Sequence, residues 1–203
     1  MADYGIDASS NNGTVNWMLA QSRGIRFAFY RRNLCLWPDR LFGVNGAGLR
    51  DSDLQPCLYT VWSPYHPVKA QYATFVKDLW AAQWYRIAVD VERPHGLGVN
   101  NSKVLGDLLW LLNSIADWHG KRPLIYTNKY YWERYYSTRP GWGDDWALWV
   151  ANYGRSKPAM PIGWTDYAIW QYSADGNKLG PYYGGQSTAM DLNVAKDGFI
   201  EAG

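Results

Sequence analysis

Ile87-Ala-Val-Asp-Val-Glu92 is an apolar, β-branched run interrupted by two acids one position apart. Side chains at i and i+2 of a strand share a face, so a strand here sets Asp90 and Glu92 side by side, roughly 6.6 Å apart along the chain. Two anions on an otherwise buried strand lose hydration and repel each other. A chain keeps such a pair where acid–base chemistry or a cation demands it. The run therefore marks both a fold element and a candidate site.

The flanking segments say what kind of sheet this strand belongs to. Before it, Tyr72, Phe75, Val76, Leu79 and Trp80 recur at helical spacing. After it, Ser102 is placed to cap a helix carrying Val104, Leu105, Leu108, Leu109, Leu112 and Ile115, ending near Gly120. Further strands are expected at 4–7, 26–30, 57–62 and 123–127, with short helices at 16–22, 44–49 and 129–136. Strands alternating with helices imply a parallel sheet with right-handed crossovers. Beyond residue 140 the rhythm changes. Runs at 146–153, 167–172 and 187–193 read as strands, but their connectors are rich in Gly, Pro, Asn and Asp and carry no helical period. Five strand–helix units followed by three bare strands predict an α/β fold, a truncated TIM-like (βα)5β3 barrel, since eight full units take about 250 residues. An open doubly wound sheet is the competing reading, and no Gly-rich phosphate loop supports it.

The chain has 203 residues, 47% hydrophobic and 19% charged, which suits one folded domain over 1–203. A formal charge of +2 gives no case for nucleic acid. No apolar stretch reaches membrane-span length, and the first residues lack a secretory leader pattern. Cys35 and Cys57 have no zinc-type spacing and are either free thiols or one disulfide. Thirteen Trp, 16 Tyr and 5 Phe make 17% of the chain aromatic. Such rings stack on sugar faces while their polar edges reach hydroxyls, although any single ring is more simply a core residue.

In a parallel barrel, reactive groups lie at the C-terminal strand ends. Asp7 ends the first strand, Asp90 and Glu92 the fourth, and Asp191 lies late in the eighth, which closes against the first. Asp7 or Asp191 alone reads as a turn cap. All four round one mouth read as a site, because such a charge cluster has no structural benefit.

The same residues carry a family resemblance. Gly5-Ile-Asp-Ala-Ser-Ser10 with Gly13 and Asn16-Trp17, Ala88-Val-Asp-Val-Glu92, Ile125-Tyr-Thr-Asn128, Leu148-Trp-Val-Ala-Asn-Tyr153, Ile169-Trp-Gln-Tyr-Ser173 and Met190-Asp-Leu-Asn-Val194 occur in order. Taken as an ordered set, they make the chain similar to the glycoside hydrolase family 25 lysozymes, muramidases of bacteria, phages and some fungi. Two departures stand out: Tyr30-Arg-Arg-Asn-Leu34 replaces a Lys-Ala-Thr-Glu-Gly-like segment, and Asn12 stands where Gln is usual.

The resemblance implies a (βα)5β3 barrel that cuts the β-1,4 bond between N-acetylmuramic acid and N-acetylglucosamine in bacterial peptidoglycan. Glu92 would be the acid/base and Asp90 the partner of the sugar's own 2-acetamido group, with Asp7 and Asp191 tuning the pair; an inverting route through Asp191 or Asp7 stays open. Tyr59, Tyr126, Trp149, Tyr153, Gln171 and Tyr172 are the candidate substrate contacts, though Gln171 and Tyr172 point to opposite faces of a strand. Arg31, Arg32 and Arg93 are candidates for acidic stem-peptide groups or a solvated basic face, and His95 for the cleft rim or a solvated loop. No metal, cofactor, membrane or nucleic acid is called for, and a monomer is expected. The setting expected is a phage endolysin or virion-associated lysin without a separate wall-binding domain, or a secreted enzyme whose leader is gone. Competing readings are a barrel using Mg²⁺ or Mn²⁺ on the same four acids and a glycan-binding barrel without catalysis.

Overall fold

The computed structural model describes residues 2–92, 101–136, 145–175 and 178–200. In chain order the elements are β1 (Asp3–Ala8), α1 (Trp17–Ser22), β2 (Ile25–Leu34), β3 (Trp37–Pro38), α2 (Phe42–Arg50), β4 (Gln55–Val61) and α3 (Val68–Val76). There follow β5 (Arg86–Asp90), α4 (Asn101–His119), β6 (Leu124–Thr127), α5 (Lys129–Tyr135), β7 (Leu148–Ala151), β8 (Ile169–Ser173) and β9 (Asp191–Ala195). The sheet runs β1-β9-β8-β7-β6-β5-β4-β2-β3, and β1 also pairs with β2, so eight of these strands close a barrel. Helices follow five of the barrel strands, as the connector pattern predicts.

One expectation is corrected. The last strand is not parallel: β9 runs antiparallel to both β8 and β1. It also starts at Asp191 instead of ending near it. Residues 187–189 spend their backbone groups elsewhere, with Thr188 O accepting from Gly180 N at 2.9 Å and Ala189 O from the Asn12 side chain at 2.9 Å. Reversal of the strand brings its first residue to the mouth that the other strands reach with their last. Asp191 lies opposite Asp7 in register.

Two cores follow from strand alternation. Outward side chains such as Ile6, Leu58, Ile87, Val89, Ile125 and Val150 pack beneath the helices with Leu108, Leu112 and Ile115 of α4. Inward ones, among them Phe27, Phe29, Ala88, Tyr126, Trp149 and Ile169, fill the barrel. Gly5 leaves the room that Phe27 occupies, since a Cβ there would lie 2.3 Å from its ring. The barrel is thus plugged by apolar side chains through its middle, below a polar upper end.

Helix boundaries differ from the sequence reading where local chemistry intervenes. α3 ends at Val76, because Lys77 turns extended and Asp78 takes φ +56°. Leu79 and Trp80 therefore fall off the expected stripe, and Trp80 is exposed. Ser102 lies inside α4 instead of capping it. Asn16 and Asn128 do cap α1 and α5 through their side-chain oxygens. Cys35 and Cys57 are buried thiols that form no disulfide, and burial pushes that of Cys57 up to about 12.

Candidate active site

Asp7, Asp90, Glu92 and Asp191 line one hollow at the mouth, together with Tyr59, Tyr126 and Trp149. The ends of β1, β4, β5, β6 and β7 and the start of β9 supply these side chains. Asp90 is paired in register with Tyr126, and the chain continues along β6 through Val91 N, which donates to Tyr126 O at 2.8 Å. The strand-like path persists past Asp90, which carries Glu92 to the same face one step higher. The two acids end in different surroundings: Asp90 is 6% exposed and Glu92 stands in the open.

Asp7 is the hub of a buried network. Its Oδ2 accepts from Gln171 Nε2 at 2.8 Å and from Asn193 Nδ2 at 2.8 Å. Gln171 Oε1 in turn accepts the hydroxyls of Tyr126 at 2.8 Å and Tyr153 at 2.7 Å. Asn193 Oδ1 accepts Trp149 Nε1 at 2.8 Å. Each amide thus gives its N–H to the carboxylate and is oriented by donors behind it. Burial, and then the neighbouring Asp7 charge and hydrogen bond, push the Asp191 carboxyl up to about 9. Burial also raises Asp7, against the hydrogen bonds from Asn193, Gln171 and Asp191. Both carboxyls are pushed up, and burial with their mutual repulsion favours a proton held between them over two separate charges. Four carboxyls therefore do not mean four charges.

The tyrosines of the hollow stay protonated. Burial, followed by the Asp7 charge, raises Tyr59, and burial, followed by Glu92, raises Tyr126. Both remain hydrogen-bond donors over the working pH range. Trp149 is 2% exposed, with its ring centroid 4.5 Å from that of Phe29 and 4.8 Å from that of Tyr126, so it is floor and not platform.

Of the candidate contacts, Tyr59, Tyr126 and Trp149 come together in the hollow, and Tyr153 stands at its rim, hydrogen-bonded into the network. Gln171 lies beneath the surface as support for Asp7. Tyr172 faces outward and packs on the outer core beside Trp170, away from the hollow, as parity requires of one of this pair. Arg31 does not form a solvated face: its Nη2 meets Asp39 Oδ2 at 2.7 Å. Arg32 is buried and donates to Phe75 O and Lys77 O. Arg93 and His95 lie outside the described residues.

Sequence reasoning passed over Asn193 and Asp39. Asn193 stands two positions from Asp191 on the same face, so strand parity was the signal for it. Asp39 accepts from Ser10 N at 3.0 Å and Leu41 N at 3.0 Å besides Arg31, and these bonds hold its carboxyl low against its own burial. It anchors the divergent 30–39 segment to the loop after β1, a long-range contact with no local signature. Among the described residues, no group of three His, Cys, Asp or Glu side chains is arranged to hold a metal ion.

Paired carboxyls beside tyrosines at the mouth of a closed barrel suit glycoside hydrolysis. More narrowly, the chain belongs to glycosyl hydrolases family 25, whose sequence profile matches residues 6–181. Lysozyme M1 of Streptomyces globisporus is 26% identical over 203 residues, covering 93% of this chain and 66% of that protein. The chain therefore spans just under two thirds of that relative's length. The bacterial lysozyme from Streptomyces coelicolor superposes with a TM-score of 0.84 at 22% identity, covering 97% of this chain and 93% of that one. A family GH25 lysozyme from Aspergillus fumigatus gives 0.82 at 23% identity, with 97% and 94% covered. At those identities the two structures speak to the fold.

Proposed function

We propose that the protein is a peptidoglycan N-acetylmuramidase, hydrolysing the β-1,4 bond from N-acetylmuramic acid to N-acetylglucosamine. The observation that carries this is the gathering of Asp7, Asp90, Glu92 and Asp191 with three aromatic side chains in one hollow. Family membership supplies the reaction class.

Glu92, at the open lip, is the acid that protonates the leaving glycosidic oxygen as the C1–O bond breaks. Asp90, on the floor and too close along the strand to attack from the opposite sugar face, accepts the N–H of the 2-acetamido group. The acetamido oxygen bonds to C1 and gives a cyclic cation, which the Asp90 carboxylate stabilises. Glu92, now a carboxylate, takes a proton from water as that water attacks C1 and reopens the ring. The product keeps its anomeric configuration. The inverting route is less well served: Asp191 is protonated and no base, and Asp7 is committed to two amides.

Residues 1–203 serve in this reading as one catalytic domain acting as a monomer, in keeping with a barrel whose edge strand among the described residues is the two-residue β3. Its place of action is the bacterial wall. Mass spectrometry of digested peptidoglycan tests the assignment. Muropeptides ending in reducing N-acetylmuramic acid are expected, and reducing N-acetylglucosamine ends would make it a glucosaminidase. Activity that disappears in EDTA would favour the metal-dependent reading instead.

A further inference from the structure

At the rim opposite the mouth, the basic side chains Arg122, Lys196 and Arg26 each have an acid. Arg122 Nη1 meets Asp145 Oδ1 at 3.1 Å, Lys196 pairs with Asp166, and Arg26 Nε lies 3.9 Å from Asp3 Oδ1. Arg86 and Lys121 differ, since neither has a carboxylate partner among the described residues. Arg86 opens β5, four steps below Asp90, which is roughly 13 Å at 3.3 Å per residue. It shares the inward parity of Ala88 and lies beside Cys57 of β4 in register. Lys121 is exposed in the turn between α4 and β6.

Both cations gather on one ring. The Arg86 guanidinium carbon and Lys121 Nζ each lie 4.8 Å from the centroid of Tyr85, and Phe199 adds a second ring 5.0 Å from the guanidinium. Tyr85 is itself held, its hydroxyl donating to Phe199 O at 3.2 Å. Ring contact offsets part of the hydration these charges lose but supplies no oxygen acceptor. Arg86 Nε is buried with no acceptor among the described residues. A buried charged donor left so is disfavoured, and an acceptor from outside the chain would complete it. The guanidinium fork matches two phosphate oxygens, and Lys121 adds a point charge beside it. A single carboxylate would leave one of the two cations unanswered, whereas a polymer with an anion in every repeat answers both.

We propose that Arg86, Lys121 and Tyr85 form an anchoring site for a phosphodiester polymer of the bacterial wall, on the rim away from the catalytic mouth. The wall as its setting rests on the muramidase reading. A polymer bound there holds the barrel from below and leaves the mouth open to glycan.

Calorimetric titration with poly(glycerol phosphate), beside polyglutamate of equal charge number, tests the site. Wild type should bind the phosphate polymer about tenfold more tightly than polyglutamate, and lose affinity between about 50 and 200 mM salt. Arg86→Gln and Lys121→Gln should each weaken it about fivefold or more. Hydrolysis of soluble peptidoglycan strands stripped of phosphate polymer should stay within about twofold of wild type in both variants, because neither side chain reaches the mouth. Should Arg86→Gln not fold, Lys121→Gln at its exposed position decides alone. Equal affinity of wild type for the two polymers, or undiminished phosphate-polymer binding in Lys121→Gln, would overturn the site. Intact hydrolysis with no polymer binding would overturn the site alone. Polymer binding that the substitutions weaken, in a wild type that cuts no peptidoglycan, would overturn the muramidase reading and leave the site standing.

Discussion

Asp90 and Glu92 lie two positions apart in sequence, yet the first is buried and the second exposed. That difference assigns their labour, because a proton donor must meet the leaving oxygen while a stabiliser works best where water is excluded. Glu92→Gln is expected to lower turnover by at least about 10²-fold with the melting temperature unchanged, measured by turbidity loss and calorimetry. Full activity in that variant would remove Glu92 from the mechanism. Asn193→Ala takes one of two amide donors from Asp7 and strands the Trp149 indole N–H. A cost on the order of 1–3 kcal/mol is expected, read as a fall in the denaturation midpoint together with reduced activity.

At the scale of elements, strand alternation made the acid strand, the inward tyrosines and the barrel count legible from the sequence. What it left open was decided by contacts far apart in the chain. The reversal of β9 depends on the 180–189 loop being tied to Asn12 and Gly180, and nothing within residues 187–193 encodes that. The end of α3 turns on the backbone at Asp78, whose positive φ breaks a hydrophobic period that otherwise runs on. The departure at Asn12 has a visible role: Ser9 N donates to its Oδ1 at 2.9 Å while its amide holds Ala189 O. The same loop makes a sharp demand at Gly184, where φ is +92° and a Cβ would sit 2.3 Å from Asn16 O. Gly184→Ala is expected to cost at least ~1–2 kcal/mol and to lower activity by displacing Asp191, which thermal melting and rate assays would register together.

For the whole molecule, the shared proton on the Asp7–Asp191 pair couples stability to pH. Asp191 has a folded value raised from 3.8 to about 9, so its stabilising contribution is complete below the unfolded value and is lost as pH climbs through the folded one. Thermal midpoints should therefore decline across about pH 4 to 9 on its account. Asp191→Asn retains a donor towards Asp7 without the titration. Its midpoint at pH 8 should exceed wild type by on the order of 5 °C, and the alkaline decline should flatten. A variant with the same slope as wild type would place the proton elsewhere. Asp39, held low, acts with the opposite sign and gives up its contribution only as pH falls towards the acid range.

Barrel closure also settles where attachments would go. Because Asp3 faces Ala195 in register, β1 begins and β9 ends side by side at the rim opposite the catalytic mouth. A fluorescent reporter or targeting module fused to either end would hang beneath the cylinder and leave the working entrance unobstructed. A short bridge joining the two ends would likewise permit circularly permuted versions opened at an exposed loop.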